Sequence, residues 1–292
     1  MTLRRHHLTP WYFLALPLAM YLVWVLMPIA QSMLFSLTDR SSILFGRRYV
    51  GLANFFRLFN DRIFHLALLN NLQWMVAFVL LPIPIGLAIA MFFNQNYPGA
   101  KYFKTAFFIP MTLSYAVVGT IWVWIYHPSF GALNTTLRAV GLDQFARQWL
   151  GDPRYMTRAL ILVGIWRQVP YVMILYIAGL KNVPEELVEA AMIDGASWWQ
   201  RFRSVVLPML RPATIVAITI SIIDSLRAFD IVWVMTNTQA RAAEVLATYM
   251  YSSSFQFQDY GYGSAIAVVQ FFITLGFILF YVNHTLKSEH DL

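Results

Sequence analysis

The stretch EELVEAAMIDGASWWQRFRSVVLPML, Glu185–Leu210, is polar and helix-patterned inside a chain that is otherwise apolar. Asn182 and Glu185 have the three-residue spacing of a helix N-cap pair, and Pro184 falls in the first turn, where a missing N–H does no harm. This predicts a short helix from there to Gly195, a residue free to take positive φ beyond a helix end. Ser197 with Gln200 is a second capping pair, so a second helix is expected to follow and to stop by Pro208. Leu187, Ala190 and Ala191 share one face of the first helix, and Glu185 and Glu189 lie one turn apart on another. The pattern is that of a compact helical hairpin, built either to dock or to rest on lipid headgroups.

Around this hairpin the composition is that of a membrane protein. Hydrophobic residues make up 59% of the 292 and charged ones 12%, against roughly a quarter charged in a soluble domain, and mean hydropathy is +0.58. Six apolar runs approach the length needed to cross about 30 Å of hydrocarbon: Trp11–Leu37, Leu66–Phe93, Phe103–Tyr126, Arg158–Leu180, Pro212–Met235 and Ser264–Leu286. They are continuous and far longer than the alternating segments of about 10 residues that build a barrel. The expectation is an all-α polytopic membrane protein, a single domain over 1–292, with residues 181–211 joining the fourth and fifth spans. The first run follows RRHH but is too long for a signal peptide. Trp11, Tyr12, Trp124, Tyr126, Tyr260 and Tyr262 stand at run ends, where amphipathic rings prefer the headgroup level.

The net charge of +7 does not indicate nucleic acid, because the basic residues are scattered over short loops between spans. With no cysteine in the chain, disulfides and thiolate sites are excluded. Lysine and arginine divide nine against ten between the two sides, so charge alone does not orient the protein.

Charges inside the spans carry the next clue. A charge at the membrane centre costs about 2.5–3.5 kcal/mol unless it faces water or a partner. Asp224, Arg227 and Asp230 are spaced i, i+3, i+6 on the fifth span, within about 120° of one helix face, and Arg167 and Gln168 precede Pro170 in the fourth. These residues, with Tyr171, are the candidates for a polar path. Trp166, Tyr171 and Phe229 could stack on sugar rings, and Asp and Gln could bond hydroxyl groups. The competing reading of Asp224, Arg227 and Asp230 is an internal ion-pair lock. No metal-ligand cluster is expected, and H-E-x-x-H and G-x-S-x-G are absent from the sequence.

Glu189-Ala190-Ala191, three residues, Gly195, nine residues, then Val205-Val206-Leu207-Pro208 resembles the EAA loop of binding-protein-dependent ABC transporter permeases. The spacing agrees throughout, with valine at 205 where isoleucine is usual. The stretches VGLANFFRLFND, FFIPMTLSYAVVGTIWVWIYHPSFGALN, AFDIVWVMT and YGYGSAIAVV are similar to the carbohydrate branch, the permeases of maltose-type and glycerol-3-phosphate-type importers. One departure is Asn237–Arg241, where a Gly-Gly-Pro turn is common. The resemblance implies six transmembrane helices with both termini and the 181–211 loop cytoplasmic, which puts all four lysines inside. It implies that Glu189, Ala190, Ala191, Asp194, Gly195, Leu207 and Pro208 couple the chain to an ATP-binding subunit dimer. It further implies a second permease subunit, an extracytoplasmic solute-binding protein and a sugar or sugar-like solute. The sequence lacks G-x-x-x-x-G-K-[ST], so ATP and Mg are expected in the partner ATPase, with no cofactor on this chain. A self-sufficient ion-coupled carrier or channel using the intramembrane carboxylates is the alternative.

Overall fold

The computed structural model describes residues 9–39, 48–94, 98–236 and 241–290. The basic lead Arg4–His7 and all but the last residue of Asn237–Arg241 lie outside them. Among the described residues the fold is helical, with one two-residue antiparallel strand pair, Thr38–Asp39 with Arg48–Tyr49. Two compact units form, residues 1–64 with 249–272 and residues 65–248 with 273–292.

In the larger unit the helix Pro153–Leu180 is central. Asp152 starts it by accepting the Arg154 N–H at 2.9 Å, with Pro153 at the first helical position. The helix begins five residues before the apolar run because this cap is polar and invisible to hydropathy. Its 28 residues span about 42 Å at 1.5 Å each, and it buries Leu160, Val163, Val172, Met173 and Tyr176. Close approach depends on small residues, as expected where lipid supplies no hydrophobic drive between helices. A Cβ on Gly86 would lie 2.7 Å from the Val172 side chain, and one on Gly164 would lie 2.6 Å from the Trp74 ring.

Three of the apolar runs are broken. Arg62–Leu80 and Pro82–Phe93 are separate helices with Leu81 between them. The third run is two helices, Ala100–Thr112 and Tyr115–Ile125, set at 99°, with Ser114 capping the second by accepting the Val117 N–H. The fifth ends as a helix at Leu226 and restarts as Asp230–Thr236. Among the described residues four helices are long and apolar enough to cross a membrane, taking Arg62–Phe93 as one, or up to six if the two bent pairs, Ala100–Thr112 with Tyr115–Ile125 and Trp198–Met209 with Arg211–Leu226, are each one span. The segment after the fifth run is ordered by the second: buried Asn70 donates to the carbonyls of Ala242 and Glu244 at 3.0 and 2.8 Å, and Asn71 accepts the Leu246 N–H at 2.8 Å.

In the smaller unit a helix covers 9–36, containing a π-helical turn Leu22–Leu26. Asn54 donates to the carbonyls of Ser36 and Thr38. Asp61 accepts hydrogen bonds from the hydroxyls of Tyr249 and Tyr262, and Arg57 pairs with Asp259 at 2.6 Å. Burial raises the Asp61 pKa, but the two hydroxyls and the N–H groups of Ile63 and Phe64 outweigh it, so the carboxyl is held below its ordinary value and is a charged acceptor near neutral pH.

Replacing Gly164 with leucine should drive a side chain into Trp74 and Phe78 and lower stability by about 1–3 kcal/mol. A thermal melt in detergent followed by tryptophan fluorescence should show a lower midpoint, whereas Gly276→Leu, with no atom within 4 Å of its added Cβ, should leave it unchanged.

Candidate functional site

The hairpin forms, with different ends from those expected. Its first helix is Glu185–Ile193, capped by Pro184 in an extended conformation and not by Asn182. Val183 precedes a proline, which disfavours helical φ/ψ there, so no helix can start directly after Asn182. The Asn182 N–H instead donates to the Gly179 carbonyl, finishing the preceding helix. At the far end Gly195 has φ +79°; its N–H reaches the Met192 carbonyl at 3.0 Å and the Ala196 N–H reaches that of Ala191 at 2.9 Å, a Schellman closure. Ser197 and Gln200 then exchange a capping box, the Ser197 N–H donating at 2.7 Å and the Ser197 hydroxyl accepting the Gln200 N–H at 3.4 Å.

The second helix does not stop by Pro208. It runs Trp198–Met209 with a π-helical segment Phe202–Val206, then bends 66° at buried Leu210 into Arg211–Leu226. Pro208 and Pro212 flank the bend, and each lacks the N–H that would extend the ladder through it. Glu189, Ala190, Asp194, Gly195, Leu207 and Pro208 are exposed and Ala191 is half-buried. Ile193, at the tip, is 87% exposed.

The in-span charges gather at the break in the fifth run. Arg227 terminates Arg211–Leu226 and Asp230 opens Asp230–Thr236, so each charge opposes the dipole of its own helix end. The three charges therefore do not share one continuous helix face. Asp224, Arg227 and Asp230 instead line a cavity of about 170 Å³ with Trp74, Phe78 and Tyr115. Gln168 Nε2 donates to Asp224 Oδ2 at 3.3 Å, and the Arg167 guanidinium lies 3.7 Å from the centre of the Tyr115 ring. No ion pair joins Asp224, Arg227 and Asp230 among the described residues, so the expected lock is not formed by direct contact. Tyr171 is half-buried and Trp166 partly exposed, and neither lines this cavity. Phe229 does, stacked on Trp233 at 5.4 Å. Sequence reasoning missed Trp74 and Tyr115, and the signal available for Trp74 was its place beside Asn70 and Asn71 in an apolar run.

Residues 82–288 match the family described as binding-protein-dependent transport system inner membrane component. The chain belongs to that family. A probable ABC transporter permease of Pyrococcus horikoshii is 34% identical over 268 residues, covering 91% of this chain and 92% of that one. The trehalose/maltose transport permease of Thermococcus litoralis is 31% identical over 273 residues, covering 93% and 92%. The diacetylchitobiose uptake permease of Streptomyces coelicolor is 33% identical over 286 residues, covering 93% and 81%. A solved bacterial importer of the acidic polysaccharide alginate has a chain of the same fold, with TM-score 0.83 at 23% identity over 97% of this chain and 96% of that one.

In this permease Gly195 can be tested separately from its surroundings, because an added Cβ there meets nothing within 4 Å. Gly195→Val should strain only the backbone, by about 1–2 kcal/mol, whereas Gly195→Asn should be tolerated, since asparagine also enters the left-handed region. Membrane insertion should be unchanged in both variants. Amide exchange across residues 190–200 should quicken by about tenfold in the valine variant, the factor that 1.4 kcal/mol gives.

Proposed function

We propose that this permease forms, with a second permease, the path of an ATP-driven importer for a sugar or sugar-like solute delivered by an extracytoplasmic binding protein. The observation that carries the reading is the exposed hairpin Glu185–Met209, rigid at its turn and continuous through Leu210 with the helix that ends beside the polar cavity. Relatives named for trehalose/maltose, diacetylchitobiose and alpha-glucosides support a carbohydrate, and a solved alginate importer in complex with a periplasmic protein bound to an alginate pentasaccharide supports delivery by a binding protein.

The mechanism follows from the connection. Both termini and the 181–211 loop are cytoplasmic, and an ATP-binding dimer grips the tip around Glu189–Gly195. Closure of that dimer moves the hairpin, the motion passes the bend, and Arg211–Leu226 carries it about 20 Å to Asp224. There the cavity presents two carboxylates, guanidinium donors and aromatic faces, the mixture that hydroxyl-rich rings require. Among the described residues Trp74 Nε1, on the cavity wall, and Arg167 Nε, beside Tyr115, are buried without a hydrogen-bond partner, and such a donor costs about 1–3 kcal/mol until an acceptor arrives. A solute oxygen, admitted as the helices shift, would satisfy them. The chain itself holds no nucleotide; ATP and Mg bind the partner ATPase, and this subunit is no enzyme.

The purified chain should show no ATP hydrolysis. Assembled with its partners in vesicles, the wild type should couple hydrolysis to uptake, and Glu189→Lys should weaken capture of the ATP-binding subunit by about tenfold, the effect of losing about 1.4 kcal/mol of contact. Hydrolysis by the chain alone, or normal capture by the variant, would overturn the reading.

A further inference from the structure

A furrow of about 1510 Å³ lies between the hairpin and the helix Pro82–Phe93. Pro84, Leu87, Ala88, Met91 and Phe92 form one wall, at i, i+3, i+4, i+7 and i+8, a single helix face. The opposite face of the same helix, with Gly86 and Ala90, is packed on Pro153–Leu180. Trp198, Phe202 and Val206, four residues apart on the second hairpin helix, form the other wall, with the Trp198 and Phe202 rings stacked at 5.7 Å. The furrow runs from Pro84 to Asn94, about 15 Å at 1.5 Å per residue, which is half of a hydrocarbon core about 30 Å thick. Its rim carries charges of both signs: Lys181 against Glu185, Glu186 and Glu189, all exposed.

We infer that this furrow binds one phospholipid of the leaflet on the hairpin side, with a zwitterionic headgroup bearing a primary amine. The length fits one acyl chain, the paired rings at the mouth sit where aromatic side chains prefer to be, and the rim is complementary to such a headgroup. Lys181 takes the phosphate, and Glu185 and Glu186 take the ammonium, whose N–H donors match their carboxylate oxygens, while Glu189 is left to the ATP-binding subunit. A trimethylated amine keeps the charge but offers no N–H, and an anionic headgroup meets three carboxylates. The bound lipid would wedge the hairpin against Pro82–Phe93. That this leaflet is the cytoplasmic one rests on the proposed orientation.

The test reconstitutes the whole importer in discs containing equal parts of phosphatidylethanolamine, phosphatidylcholine and phosphatidylglycerol with identical acyl chains, then reads retained lipid by native mass spectrometry after mild detergent. The expected result is one phosphatidylethanolamine per copy of this chain, favoured about tenfold over the other two, lost with Ala88→Trp and reduced severalfold with Lys181→Gln. Lys181 is exposed, so its variant keeps the test readable if Ala88→Trp does not assemble. Equal retention of the three lipids, retention unaffected by Lys181→Gln, or an efficient cross-link from Ala88→Cys to another subunit would overturn the inference. No lipid preference in the wild-type importer, with normal capture of the ATP-binding subunit, would sink this inference and leave the proposed function standing.

Discussion

Backbone N–H and C=O groups in hydrocarbon have no water to bond, so a chain crossing lipid can leave the helix only where something else satisfies them. The structure follows this constraint at each break. Ser114 caps the restart of the third run, and Arg227 and Asp230 complement the helix ends at the fifth. Asn70 and Asn71 supply side-chain amides to the backbone of Ala242, Glu244 and Leu246. Polar groups inside the apolar runs mark where the chain turns, and the turn at Leu226–Asp230 creates the cavity.

The first hairpin helix and its turn lie outside that constraint, and local signals decide their form. Three of them act within ten residues: positive φ at Gly195, the Schellman bonds closing on Ala191 and Met192, and the Ser197–Gln200 box. They hold the two short helices in one arrangement without a core beneath them, as the exposure of Ile193 requires. A rigid tip that is continuous with Arg211–Leu226 can move the far end of that helix. The hydrogen bond from the Tyr176 hydroxyl to Thr214, 3.0 Å long, and the close approach of Gly179 to Ala213 tie that helix to Pro153–Leu180.

Legibility in the sequence followed the range of the interaction. The helical class, the family, and the Gly195 and Ser197–Gln200 features were readable, because hydropathy and capping act over a few residues. The start of the first hairpin helix was misplaced because Asn182 fits a cap pattern that Pro184 vetoes through Val183. The shared face of Asp224, Arg227 and Asp230 assumed a continuous helix, and an apolar run gives no sign of a break that tertiary bonds support. The cavity still collects the three charges, since a helix break holds residues close in sequence to one place. Trp74 and Tyr115 reach it from the second and third runs, a proximity that depends on Gly164 admitting the indole and that no single segment encodes.

The central claim is that the exposed tip of the hairpin is the contact through which ATP hydrolysis acts, and the lack of cysteine in this chain makes it directly measurable. With Ile193→Cys as the sole cysteine in the chain, and single cysteines placed over the surface of a cysteine-free ATP-binding subunit, disulfide cross-linking in the assembled importer should trap a permease–ATPase pair. Its yield should change between nucleotide-free and ATP-bound states. Labelling of the residue by a membrane-soluble maleimide, with no cross-link to the ATP-binding subunit in either state, would contradict the account.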